Sequence, residues 1–191
     1  MKIHLQKPED IRSQIWKELG RASLDRHHEW RTPVLASADA DGLPDARTVV
    51  LRQVDALAGQ LTFYTDSRSP KAAQLQAKAS AMLVFWSARL SWQLRVRVAC
   101  SVITYGPEVD TLWQGVKHLA APGDYLAPLP PGTVLSPCSG MADADKANEP
   151  APTHSFSLLR AQVQRMDWLE LSREGHRRAQ LSANDWVWLT P

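Results

Sequence analysis

The sequence predicts a mainly β protein with a few peripheral helices, its strands antiparallel and closed into a barrel. Three observations carry that expectation. Short strand-like runs ("VLASA", "RTVVLR", "LTFYT") follow one another across tight turns at "DADGLP" and "DALAGQ", a pattern of hairpins. "SWQLRVRVACSVITY" alternates, with Trp92, Leu94, Val96 and Val98 on one face and Gln93, Arg95 and Arg97 on the other. The chain then ends in strand-like runs at "HSFSLLRAQVQ", "HRRAQLS" and "WVWLT". The tally is about six or seven strands, and closing such a sheet removes its exposed edges. At 191 residues the chain fits one domain, spanning residues 1–191, with a sizeable core.

Taken in order, residues 1–30 form a helical N-terminal segment. "KPEDIRSQIWKELG" has Pro8 in its first turn, Glu9 and Asp10 at the positive end of the dipole, and Gly20 as its stop. Ile11, Ile15 and Leu19 make an i, i+4, i+8 stripe for the rest of the fold. After the first three strands, "SRSPKAAQLQAKAS" reads as a short helix with Ser69 as N-cap and Pro70 at its first position. "AMLVFW" is apolar throughout, as in a strand covered on both faces. "PEVDTLWQGVKHLA" is helical, and residues 120–153 are a proline-rich loop.

Composition closes off several functions. A net charge of +2 with no basic block gives no reason to expect nucleic acid or a membrane surface. No apolar run has the length of a membrane helix, and "MKIHLQKPED" lacks an apolar leader, so a cytoplasmic location is expected. Cys100 and Cys138 fit no metal or redox spacing and are read as free thiols, a single structural disulfide being the alternative. "DADG" and "DADKANE" lack the terminal glutamate of a calcium loop, and no metal site is expected. No serine or cysteine has a recognisable base, and no Walker or Rossmann glycine pattern occurs.

Two places carry candidate chemistry. In "YTDSRSPK" a strand runs into a helix start, so free backbone N–H groups point outward beside Arg68, Ser69 and Lys71. That combination is a seat for phosphate, or an ordinary helix start with solvated basic residues. The Gln93, Arg95 and Arg97 face is either an outer barrel surface in water or part of a site. "GHRRAQLS" likewise suits an edge strand protected by charge. Eight tryptophans against three phenylalanines supply large flat surfaces for a core, a subunit seam or a planar ligand.

"RTVVLR", "FYTDSRSPKAAQLQ", "AMLVFW" and "WQLRVRV", in that order, resemble the pyridoxamine 5′-phosphate oxidase family of flavin-binding split barrels. The tail "MDWLELSREGHRRAQLS…WVWLTP" is similar to that family's C-terminal segment. The likeness runs from about residue 31 to 104 and resumes near 154. It implies a six-stranded antiparallel split barrel, a homodimer with FMN in clefts at the subunit interface, and an oxidoreductase acting on a small molecule. Along the flavin it implies Arg47, Thr48, Val49, Val50 and Leu51, with Arg47 near the phosphate. Tyr64 and Thr65 line the same groove, and Lys71 meets the phosphate. Gln93, Trp168 and Arg178 reach the ring, while Arg52 and His176 fall in substrate positions. A flavin carrier or sensor, and a split barrel holding a deazaflavin or haem, are the alternatives.

The chain also departs from the family. Pro70 replaces the arginine before the helix lysine, and Arg68 is the residue placed to supply that charge. The substrate lysine is Arg52, and the arginine-x-histidine motif reads Glu174-Gly175-His176. The flavin site is expected to be kept and the pyridoxamine phosphate site lost. A regular strand would hold Arg47 and Arg52 on opposite faces, about 17 Å apart, which suits FMN laid along it.

Overall fold

The computed structural model describes residues 7–118, 123–135, 154–182 and 185–191. Helix α1 (Pro8–Leu24) and a 3-10 turn (Glu29–Arg31) lead into β1 (Val34–Ala38), β2 (Pro44–Thr48), β3 (Leu51–Asp55) and β4 (Gln60–Asp66). Then come α2 (Pro70–Ala77), β5 (Ser80–Ser87), β6 (Trp92–Ile103), α3 (Pro107–Val116) and α4 (Gly123–Leu126). β7 (Phe156–Glu170), β8 (Arg177–Leu181) and β9 (Trp186–Leu189) complete the chain. Most of the 120–153 loop, with Cys138, lies outside the described residues.

All pairings are antiparallel, in the order β2-β1-β5-β6-β7-β4-β3, with β8 on β7 and β9 on β8. The two ends of that path, β2 and β3, are consecutive in the chain, separated only by Val49 and Val50. One bent strand, 44–55, thus pairs with β1 through its first half and with β4 through its second. Closure is covalent, and the barrel has six strands. At the bend Val49 is buried and its N–H donates to Pro33 O at 3.0 Å. The expected regular strand from Arg47 to Arg52 is therefore replaced by a break, and Arg52 itself sits at a bulge between Leu51 and Gln53. The two arginines belong to different ladders.

β6 and β7 pair along almost their whole lengths, with a bulge that leaves Gln164 unpaired between Arg97↔Arg165 and Val98↔Val163. The first half of β7 also pairs with β4 and the second half with β8. Such a bulge adds twist where one strand must serve two neighbours. β8 is not the protected edge suggested by its charges. β9 covers it, and "WVWL", with Trp186 and Trp188 both more than a third exposed, is the edge instead.

The barrel core is filled by Leu35, Leu51, Phe63, Leu83, Leu94, Val96 and Trp168, all fully buried. α1 lays Ile11, Ile15, Leu19 and Ala22 on it. The helix runs through Gly20 to Leu24, four residues beyond the predicted stop. A mid-helix glycine costs about 1 kcal/mol against alanine, whereas each fully buried Ile or Leu contributes about 1.5–3 kcal/mol. The stripe outweighs the glycine. Arg31 then closes the last turn by donating to Ala22 O (3.2 Å) and Ser23 O. A smaller cluster of Val109, Trp113, Phe156 and Leu158 packs under α3. β5 is not covered on both faces. Leu83 and Phe85 are buried, but Met82 and Val84 are half-buried and Trp86 is 47% exposed on the other side.

Buried Glu18 pins α1 to the barrel. It accepts from His28 Nε2 (2.8 Å) and from Arg89 Nη2 (2.7 Å) in the β5–β6 turn. His28 Nδ1 accepts from Trp30 N at 3.1 Å, so Nε2 is the nitrogen that donates to Glu18. Burial alone would raise the Glu18 pKa, but the hydrogen bond from His28 and the charges of Arg89 and Arg21 leave it below the ordinary value. A depressed carboxylate stabilises the fold above its unfolded pKa of about 4.3 and loses that contribution as pH falls through the lower folded value. Glu18→Gln is expected to cost about 1–3 kcal/mol at neutral pH. Urea denaturation checks this, and the gap from wild type should close in acid.

Candidate functional site

The strand-to-helix junction between β4 and α2 gathers most of the expected phosphate-binding residues. Asp66 ends β4, and its carboxylate takes Arg68 N (2.7 Å), Arg68 Nη2 (2.7 Å) and Ser155 Oγ (2.7 Å). Ser69 is at the N-cap position but makes no side-chain cap. Its buried hydroxyl donates backward to Asp66 O at 2.7 Å and lies 3.4 Å from Thr65 Oγ1. The tight turn uses that hydroxyl internally, which corrects the expectation that Ser69 offers it outward. Lys71, in the first turn of α2, is half-buried and makes no hydrogen bond or ion pair among the described residues. Burial and the neighbouring Arg47 charge both push its pKa down, with Asp66 opposing them.

Arg47 reaches this junction from β2. It is paired across the ladder with Leu35, on the core-facing side where the barrel opens under α2. Its guanidinium donates to Ser37 Oγ (2.6 Å), Gln74 Oε1 (3.0 Å) and Asp45. Gln74 in turn donates to Asp45 Oδ2 at 2.8 Å. Ser37, Asp45 and Gln74 were not singled out from the sequence. Asp45 was the legible one, because residues i and i+2 of a strand share a face.

Past the bend, Arg52 lies with its guanidinium carbon 5.2 Å from the Tyr64 ring centroid, and its Nε is buried without an acceptor among the described residues. Burial raises the Tyr64 pKa, against the lowering effect of Arg52. Thr48 is exposed, Val50 half-buried and in neither ladder, and Leu51 wholly in the core.

Gln93 and Arg178 sit elsewhere, on the outer face of the sheet. Asp167 accepts from Arg178 Nε (3.0 Å) and Nη2 (2.9 Å) and from Arg95 Nη2 (2.5 Å). Together these hold the Asp167 pKa down despite burial. Trp168, by contrast, is fully buried, edge-on to Trp92 at 5.2 Å between ring centroids. Alternation along β7 turns it inward, and its Nε1 is buried without an acceptor among the described residues. His176 is exposed in the β7–β8 turn, accepting from Ser172 N at 3.2 Å. Arg68 donates to Asp66, Ala127 O (2.9 Å) and Ser155 Oγ (3.0 Å).

One chain thus joins Arg47 and Lys71 at the mouth under α2 and puts Gln93 and Arg178 on the opposite face of the sheet. A cavity of about 430 Å³ lies apart from both, between Trp16 of α1, the β3–β4 turn and Met166. None of the expected site residues lines it. No cluster of metal-ligating side chains occurs among the described residues, and no helix there is long and apolar enough to cross a membrane.

A six-stranded barrel closed by a bent strand, with two cations at its strand-to-helix junction, defines the class: a split β-barrel. The family follows from comparison with known proteins. Residues 13–104 match the FMN-binding domain of pyridoxamine 5′-phosphate oxidase, and the chain belongs to the pyridoxamine 5′-phosphate oxidase-like family. A pyridoxine/pyridoxamine 5′-phosphate oxidase of Azorhizobium caulinodans is 33% identical over 138 residues, 68% of this chain and 64% of the relative. That of Paracoccus denitrificans is 37% identical over 81 residues, 41% of this chain and 37% of the relative. The matched stretches therefore span between about a third and just under two thirds of these relatives. Among solved structures, a pyridoxamine 5′-phosphate oxidase-related, FMN-binding protein of Nostoc punctiforme superposes with a TM-score of 0.72 at 25% identity, covering 97% of this chain and 98% of that one. PhzG of Burkholderia lata, solved with tetrahydrophenazine-1-carboxylic acid, shares the fold at 0.71 and 21% identity over 100% of both chains.

FMN is the cofactor of this family domain, and the residues present fit it. Half-buried Lys71 beside Arg47, with no ion pair among the described residues and only the already paired Asp66 opposing it, is the environment a phosphate dianion relieves. The placement of Trp168 gives a direct check. Trp168→Phe should lower stability by about 1–3 kcal/mol while leaving FMN affinity unchanged, as read by denaturation and by flavin titration of the same preparation.

Proposed function

We propose that the chain is an FMN-dependent oxidoreductase acting on a small molecule other than pyridoxamine 5′-phosphate. The observation that carries this is the convergence of Arg47 and Lys71 where β4 passes into α2. In this reading Lys71 takes the phosphate, through its ammonium and its own backbone N–H, since Pro70 has none and Ala72 and Ala73 donate to Ser69 O, and Arg47, oriented by Ser37 and Gln74, closes its other side. The bend from Thr48 to Val50 lies along the flavin, beside Tyr64 and Thr65, with Leu51 behind it in the core, and Arg52 faces the substrate. Bound FMN supplies the redox chemistry at its ring. The chain's own residues hold the phosphate, orient the ring and limit access to it.

Two subunits are needed in this account. Gln93 and Arg178 lie on the outer face, away from Arg47 and Lys71, so they can complete a flavin cleft only in a second copy. The half-buried Met82 and Val84 and the exposed Trp86 on β5 supply an apolar surface beside Gln93 for that contact. Two points speak against pyridoxamine phosphate as substrate. Glu174, in the family's arginine position, is exposed in a turn. His176 shares that turn, and the nearby Arg177 is held by Glu170 at 2.8 Å. A carboxylate facing a substrate phosphate would repel it.

Removing one charged partner from a desolvated phosphate costs about 2–5 kcal/mol, roughly 30-fold to several thousand-fold in affinity. Lys71→Ala should therefore weaken FMN far more than riboflavin, which lacks the phosphate, in titrations of apo-protein. Equal losses for the two ligands would place the phosphate elsewhere. Steady-state assays of the loaded protein with pyridoxamine 5′-phosphate should give little turnover.

A further inference from the structure

We propose that Arg68 is a positioning residue for the flavin phosphate: it ties the segment 125–133 along the start of α2 as a strap, so that strap docking and phosphate binding reinforce each other. This rests on the reading above in which Lys71 takes the phosphate. Arg68 stands between strap and seat, three residues before Lys71 in the turn that joins β4 to α2.

The strap is held at three points. Tyr125 packs edge-on to Phe156, at 5.2 Å between ring centroids, and to Trp113 at 6.2 Å. Its carbonyl accepts from Ser155 N (2.8 Å) and Ser155 Oγ (3.0 Å). Two residues on, Ala127 O accepts from Arg68 Nη1 at 2.9 Å. Within a turn closed by Thr133 N donating to Pro130 O (3.2 Å), Gly132 then lies against Pro70, the neighbour of Lys71. A Cβ added at Gly132 would meet Pro70 Cγ at 3.4 Å.

One guanidinium joins the strap to the turn. Besides Ala127 O, it donates to both oxygens of Asp66, where β4 ends, and to Ser155 Oγ (3.0 Å), just before β7. Ser67 N donates to Ser155 O at 2.9 Å, and Arg68 N to Asp66 Oδ1 at 2.7 Å. A buried carboxylate gripped by a guanidinium fork holds its geometry more firmly than neutral hydrogen bonds do. The direction of the Lys71 N–H and side chain follows from that turn. Lys71 is thus on one side of the turn and the strap on the other, and a ligand that orders one orders both. By linkage, the factor that the docked strap adds to phosphate affinity is the factor that bound phosphate adds to strap docking.

Hydrogen exchange of the full-length protein, read by mass spectrometry on the peptide covering 123–135, tests this in the apo state and at saturating FMN or riboflavin. FMN should slow exchange there severalfold, and riboflavin, which lacks the phosphate, should not. Arg68→Ala and Gly132→Val should each abolish that response. The second places a β-branched side chain at φ +86° against Pro70 and leaves every charge in place. Both should weaken FMN by a factor within the roughly 5- to 150-fold range of such couplings and leave riboflavin affinity unchanged. Exchange that ignores FMN, or that riboflavin slows equally, would overturn the proposal. So would FMN affinity lost in Arg68→Ala but kept in Gly132→Val, since Arg68 would then grip the phosphate itself. Lys71→Ala separates the strap from the reading beneath it. Selective loss of FMN in that variant, with an unresponsive strap in wild type, sinks the strap alone; equal loss of FMN and riboflavin removes the seat as well.

Discussion

Everything in this molecule depends on the bend at Val49–Val50. A strand that continued straight from Pro44 to Asp55 could pair with β1 or with β4, but not with both ends of a six-stranded sheet. The break at two valines lets its halves diverge, so one segment closes the barrel without a hydrogen-bonded seam of its own. Buried Val49, anchored to Pro33 O, fixes the corner. The same corner turns Arg47 toward α2 and leaves Arg52 over Tyr64, on the other ladder. Fold closure and site geometry are one constraint.

A second regularity concerns charge. Carboxylates near the functional regions are already committed: Asp66 to Arg68, Asp45 to Arg47, Asp167 to Arg95 and Arg178, Glu170 to Arg177. Lys71, Arg52, Arg97 and Arg165 are left without a carboxylate partner among the described residues. A net charge of +2 does not reveal this. At Lys71 burial sharpens this excess and lowers its pKa. An unpartnered cation at the junction is where an anionic ligand gains most.

Much of this was legible in the sequence. Alternation in "WQLRVRV" assigned both faces of β6 correctly, and the turns at "DADGLP" and "DALAGQ" marked the hairpins. Pro70 marked the start of α2, and the ordered motifs named the family. What escaped were features set by tertiary pairing. Nothing local says that "RTVVLR" breaks at its centre, since two valines are good strand residues in either arrangement. The helix was cut short at Gly20 because the benefit of burying Ala22 against the barrel is invisible without the barrel. Trp168 was read by position alone, and its parity along β7, which buries it, was not used. Arg68 looked free because Ser155 and Ala127, its other partners, lie far along the chain.

The central claim is that one chain holds only part of a flavin cleft, with Arg47 and Lys71 on one side of the sheet and Gln93 and Arg178 on the other. Sedimentation velocity of the FMN-loaded protein, followed at once by protein and by flavin absorbance, tests it most directly. The account predicts that flavin sediments with a two-chain particle at one FMN per chain. Flavin carried stoichiometrically by a one-chain particle would contradict it.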